Sequence, residues 1–124
     1  MNTPKELRYC KSHEWVSQDG EICSVGITDF AQHAMGDIVY IKLPEVGDMA
    51  EKDSSFCDIE SVKAVSEVYS PVSGEIIEVN TELENAPEMI NSDPYGSWIC
   101  KIRVSEFGEL LSAEEYEKVC AEEN

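Results

Sequence analysis

The sequence predicts a mainly β protein, a barrel or sandwich with small inserted helices and a helix at its C-terminus. Three observations carry that prediction. Short runs of β-branched or alternating residues recur along most of the chain, and Gly, Pro, Asn and Asp punctuate them. Helical spacing behind a capping box is confined to the last stretch. The 124 residues fit one compact domain, read here as spanning 1–124, long enough to bury a core without staples.

The elements follow in order. Trp15-Val16 begins a strand, and Gln18-Asp19-Gly20 is a tight turn in which Gly20 can take positive φ. Glu21 to Ile27 returns as a second strand, completing an N-terminal hairpin. Thr28 can cap a short helix through about Met35, ended by Gly36. Ile38 to Leu43 is β-branched and strand-like until Pro44 stops it. Val46-Gly47-Asp48 and Pro71-Val72-Ser73-Gly74 read as turns, the second followed by a strand from Glu75 to Val79. Pro87 can start a helical turn containing Met89 and Ile90. Asp93-Pro94-Tyr95-Gly96 is a turn, and Ser97 to Val104 a strand. Ser112-Ala113-Glu114-Glu115 is the capping box, after which Tyr116, Val119 and Cys120 share one helical face.

Charge narrows the function. Nine basic residues stand against 26 acidic ones, a formal net charge of −17. Nucleic acid and anionic membranes are repelled by such a field, whereas a protein partner with a basic face is attracted. No apolar run approaches the roughly 20 residues of a membrane span. The N-terminus carries no visible signal or transit pattern, so a cytoplasmic protein of bacterial type is expected, with a processed mitochondrial-matrix protein as the alternative. The five cysteines are odd in number and widely spaced without C-x-x-C, which predicts free thiols and no zinc site. Two histidines make no histidine-rich metal site.

One lysine stands apart. Lys63 is the only basic residue between Lys52 and Lys101, an interval holding ten acidic residues. Phe56-Cys57-Asp58-Ile59 leads into it as an extended segment, and Val65 through Tyr69 leads out. A lysine at such a hairpin tip is open to a modifying enzyme and can carry a group on a long arm. The plain alternative is a surface lysine paired with Glu60 or Glu67, worth about 0–1 kcal/mol.

Glu60-Ser61-Val62-Lys63-Ala64, followed by Ser70-Pro71-Val72-Ser73-Gly74-Glu75, resembles the lipoyl attachment region of the glycine cleavage system H protein family. Ser12-His13-Glu14-Trp15-Val16, Val25-Gly26-Ile27-Thr28-Asp29, Gly36-Asp37-Ile38-Val39, Leu43-Pro44-Glu45-Val46-Gly47 and Asn91-Ser92-Asp93-Pro94-Tyr95-Gly96 resemble further blocks of that family, in its order. Together they span about residues 7 to 120. The family usually has one or two more residues between Gly96 and Trp98, and a longer segment between Val104 and Leu111. Both departures fall in connections, where length changes are tolerated.

The resemblance implies a barrel-sandwich hybrid of the lipoyl and biotinyl type and a carrier with no catalysis of its own. It implies lipoate joined to Lys63 by an amide. The arm would take the aminomethyl group of glycine from a pyridoxal phosphate-dependent glycine decarboxylase to a tetrahydrofolate-dependent aminomethyltransferase. Dihydrolipoamide dehydrogenase would reoxidise it, and a lipoate ligase or a lipoyl or octanoyl transferase would attach it. The resemblance places Ser12, Glu14 and Glu67 in a cleft that shelters the cationic cargo. Many relatives have Asp at position 67. A monomer is expected. His13 alternates with Ser12 and Glu14, which points it to another face and to a structural role. His33 is expected on the surface, and Trp15 and Trp98 in the core.

Three other readings share parts of this pattern. A lipoate-relay carrier would have the same site and fold. A biotin carrier domain would resemble Met-Lys-Met at the attachment site, where this chain has Val62-Lys63-Ala64. A plain β-rich binding module would leave the lysine unmodified. An enzyme is the least favoured, because no nucleophile–base pair, metal cluster or phosphate loop is apparent.

Overall fold

A computed structural model describes residues 1–123. The chain forms β1 (Arg8–Tyr9), β2 (Glu14–Asp19), β3 (Ile22–Ile27), α1 (Asp29–Met35), β4 (Ile38–Lys42), β5 (Met49–Ala50) and β6 (Ser55–Ser61). It continues with β7 (Val65–Tyr69), β8 (Val72–Val79), α2 (Glu82–Asn85), α3 (Met89–Ser92), β9 (Cys100–Phe107) and α4 (Ala113–Glu123). The strands make two antiparallel sheets, one ordered β1-β2-β3-β9-β8-β5 and one ordered β4-β6-β7. This is the predicted mainly β architecture with short helices. The barrel-sandwich takes its open form: two sheets share a core and do not close into a barrel.

Alternation explains the core. Val25 and Ile27 of β3, Val72 and Ile76 of β8 and Cys100 and Ile102 of β9 face inward from the large sheet. Ile41 of β4, Cys57 and Ile59 of β6 and Val68 of β7 meet them from the small one. Each fully buried aliphatic side chain contributes roughly 1.5–3 kcal/mol relative to exposure. A second cluster lies under α4, where Leu7, Tyr9, Trp15, Leu111, Ala113 and Tyr116 pack together. Tyr9 and Tyr116 stack there with ring centroids 4.7 Å apart. The capping box starts α4 as expected: Glu115 N–H donates to Ser112 Oγ (3.2 Å), and Ser112 N–H donates to Glu115 Oε1 (2.9 Å).

Trp15 is core, opposite Gly26 in the β2–β3 ladder, and a Cβ at Gly26 would fall 2.6 Å from its indole. Trp98 is only half-buried, beneath the Lys101 ammonium, which lies 4.8 Å from its ring centroid.

Two expected boundaries move. Pro71 to Gly74 is not a turn, because β8 already starts at Val72 and pairs with Phe107 of β9. Gly74 marks a bulge in that ladder, where a Cβ would meet the Arg103 carbonyl oxygen at 2.1 Å. Pairing of Val72 with Phe107 carries β9 beyond the expected end at Val104, and the strand starts at Cys100 instead of Ser97. Ser97 is drawn out of the sheet, its N–H on Asp93 O and its hydroxyl on Met89 O. β1, β5 and α2, each four residues or shorter, are too brief to leave a periodic signal in the sequence.

Candidate functional site

The β6–β7 hairpin presents Lys63 at its tip. Ser61 builds the turn: its hydroxyl oxygen accepts from Lys63 N–H and Ala64 N–H, both at 3.2 Å. Its own N–H donates to the Ala64 carbonyl at 2.8 Å. The tip is fastened to the body by Val62 N–H, which donates to Asp37 O (3.0 Å). Asn91 steadies that junction, accepting from Ile38 N–H and donating to Gly36 O, both at 2.9 Å. Lys63 is exposed and makes no ion pair among the described residues, so the pairing with Glu60 or Glu67 does not form. Its aliphatic stem lies over Gly36, where a Cβ would be 3.3 Å from Lys63 Cε.

Gly36 ends α1, and α1 forms one wall of a cleft of about 360 Å³. Phe30, Ala31, Ala34 and Met35 line that wall. They recur at helical spacing on one face, a signal present in the sequence itself. Ile27, Ile59, Ser66 and Val68 supply the remaining floor, and Ser12, His13, Glu14, Glu67 and Glu123 the polar part. The structure therefore brings Ser12, Glu14 and Glu67 to one cleft, with Lys63 next to the helix end at Met35. A larger groove of about 670 Å³, with Lys42, Glu45, Asp48 and Asp58 among its linings, shares no residue with this cleft.

Glu14 is the chemically unusual group. It is only 1 % exposed although it opens a strand. Ser12 Oγ donates to its Oε1, and Tyr69 N–H donates to its Oε2 at 3.1 Å. It makes no ion pair with a cation among the described residues. Burial pushes its carboxyl up to about 7, against the pull of the two hydrogen bonds. The buried carboxyl thus has hydrogen-bond donors beside it but, among the described residues, no cation.

Glu67 sits at the rim. Ser66 and Val68 point inward, so Glu67 points outward, and its carboxylate accepts from Tyr69 Oη at 2.9 Å. His13 does not go to another face: it precedes β2, at φ 77°, so strand alternation does not apply, and it lines the same cleft as Ser12 and Glu14 while bonding Tyr116 Oη at 2.8 Å and Glu123 at 2.7 Å. His33 is exposed. All five cysteines are free thiols.

The family model described as Glycine cleavage H-protein matches residues 7–123. The chain belongs to the glycine cleavage H-protein family. It is 52% identical over 124 residues to a glycine cleavage system H protein of Carboxydothermus hydrogenoformans, covering 97% of this chain and 95% of that one. It is 57% identical over 116 residues to a probable glycine cleavage system H protein of Pyrococcus abyssi, covering 89% and 86%. Its fold is similar to the crystal structure of a glycine cleavage system H protein from Mycobacterium marinum. There the TM-score is 0.89 at 39% identity, covering 93% of this chain and 96% of that one. The fold is thus shared with a solved H protein, and the hairpin and cleft stand within the matched residues.

Proposed function

We propose that this H-protein family member is the lipoyl carrier of the glycine cleavage system, with lipoate in amide linkage to Lys63 Nζ. The observation that carries the reading is the pairing of an exposed lysine on a clasped hairpin tip, over the end of α1, with a cleft walled by α1 that holds a buried carboxyl, neither group having an ion pair among the described residues.

The residues fit the group. The Ser61 clasp fixes the backbone at Lys63 while leaving its amine in solvent, as a modifying enzyme needs. The apolar linings Phe30, Ala34, Met35 and Ile59 suit the hydrocarbon part of a lipoyl arm. When bound, lipoate supplies thiol–disulfide chemistry and carries the aminomethyl group of glycine as a cationic cargo. Glu14 then offers that cation a charge partner, and Ser12 holds one carboxylate oxygen in place. The apolar walls keep water from the cargo. Glu67 adds negative charge at the cleft rim.

In this reading the chain is a monomeric, non-catalytic subunit. It receives its cargo at a pyridoxal phosphate-dependent glycine decarboxylase and delivers it to a tetrahydrofolate-dependent aminomethyltransferase. Dihydrolipoamide dehydrogenase restores the disulfide. A lipoate ligase or a lipoyl or octanoyl transferase installs the arm. The formal charge of −17 favours basic docking faces on these partners.

Reconstitution tests it. Glycine–bicarbonate exchange by the decarboxylase should depend on the lipoylated chain and be abolished by Lys63→Arg. Exchange supported equally by the unmodified chain would sink the reading.

A further inference from the structure

A chain of hydrogen bonds runs along the end of the cleft and joins its two helices. At α1, Ala31 N–H donates to Thr28 Oγ1 (3.2 Å), which caps the helix. Thr28 Oγ1 is 2.6 Å from Tyr116 Oη, and Tyr116 Oη is 2.8 Å from His13 Nδ1. His13 Nε2 is 2.7 Å from Glu123 in the last turn of α4. An ionised carboxylate only accepts, so Nε2 carries the hydrogen that faces Glu123. Nδ1 faces the tyrosine hydroxyl, and that hydroxyl in turn faces the threonine hydroxyl, so the three groups form one continuous hydrogen-bonded string. The ring also stacks on Phe30 of α1, with centroids 4.8 Å apart.

The backbone at His13, with φ 77°, is one that glycine adopts more readily than histidine. Its N–H donates to Cys10 O, and its carbonyl accepts from Thr28 N–H, both at 3.0 Å. Glycine would meet those backbone demands with less strain. The imidazole adds the bridge to Tyr116 and Glu123, and both His13 and Glu123 line the cleft beside Glu14.

We infer that His13 is a positioning residue: it latches the last turn of α4 to the start of α1, so that Glu123 closes the Glu14 end of the cleft against water. This rests on the cleft being the shelter of the arm's cationic cargo. Through this latch the C-terminal helix becomes part of the site, although its apolar face packs on a separate cluster.

The test uses the full-length lipoylated chain, with modification verified by mass, loaded by the decarboxylase. Ammonium release into buffer is followed for the parent and for Glu14→Gln, Glu123→Ala, His13→Gly and His13→Gln. Losing one charge-assisted hydrogen bond corresponds to roughly a tenfold change. Glu123→Ala and His13→Gly should each speed release by about that factor, and the double variant no more than His13→Gly alone. His13→Gln, which can donate to Glu123 and accept from Tyr116, should recover part of the loss. Hydrogen exchange on the unlipoylated chain gives an independent readout. The last turn of α4 should exchange about tenfold faster in both latch variants, with the rest of the sheet unchanged. If Glu14→Gln speeds release while Glu123→Ala and His13→Gly match the parent, the latch is overturned and the shelter stands. If Glu14→Gln also matches the parent, the shelter itself is overturned.

Discussion

The Tyr69 backbone N–H donates to the Glu14 carboxylate at 3.1 Å, across a sequence separation of 55 residues. Tyr69 ends β7, an edge strand of the small sheet, and Glu14 opens β2 in the large one. The contact therefore satisfies an edge N–H, ties the two sheets at the cleft and fixes the carboxylate that would face the cargo.

Glu14 makes stability depend on pH in a defined direction. Its carboxyl is pushed up from the ordinary 4.5 to about 7 by burial. Between those values the folded chain holds more protons than the unfolded chain, so stability falls as pH rises through that window and levels off above it. The full effect is on the order of 3 kcal/mol at one pKa unit per about 1.4 kcal/mol. Melting of Glu14→Gln against the parent from pH 4.5 to 8 should show the variant gaining relative stability as pH rises. A difference that stays constant with pH contradicts the assignment.

Gly36 is expected to resist substitution for two reasons. Its φ of 76° and ψ of −157° belong to a region almost restricted to glycine. A Cβ there would also sit 3.3 Å from Lys63 Cε. Gly36→Ala should cost about 1–3 kcal/mol in denaturant unfolding. It should also slow lipoylation, because it displaces the lysine stem.

Ser61→Ala removes the acceptor for Lys63 N–H and Ala64 N–H. The turn is exposed, so global stability should fall by only about 0.5–1.5 kcal/mol. Hydrogen exchange at Lys63 and Ala64 should rise much more than the average for β6 and β7. An unchanged exchange rate at those two amides would show that the clasp is not formed in solution.

Gly26→Ala tests the N-terminal hairpin. The new Cβ would lie 2.6 Å from the Trp15 indole, which is 2 % exposed and donates to Pro94 O. Overpacking of this kind costs roughly 1–3 kcal/mol. Tryptophan fluorescence should shift together with the loss of stability.

Much of this was legible in the sequence because it was local. Gly20, the Thr28 cap, the Gly36 stop and the Ser112–Glu115 box each act within a few residues, and each stands where expected. The Pro71–Gly74 segment misled because Pro and Gly usually mark turns. Here Gly74 serves the close approach of the Arg103 backbone, a fact of the partner strand. The cleft was expected only through the family resemblance, and then only by its polar residues Ser12, Glu14 and Glu67. Tyr69 contributes a backbone N–H that no side chain advertises, and Glu123 reaches His13 across 110 positions. The burial of Glu14 followed from the same long-range packing, since a strand-opening glutamate is ordinarily solvated.

The central claim concerns Lys63, and mass decides it most directly. The intact protein, purified from its own host in lipoate-replete growth, should carry one lipoyl group, and peptide mapping should confine it to the peptide containing Lys63. A biotinyl mass at Lys63, or an unmodified lysine throughout, would contradict the account.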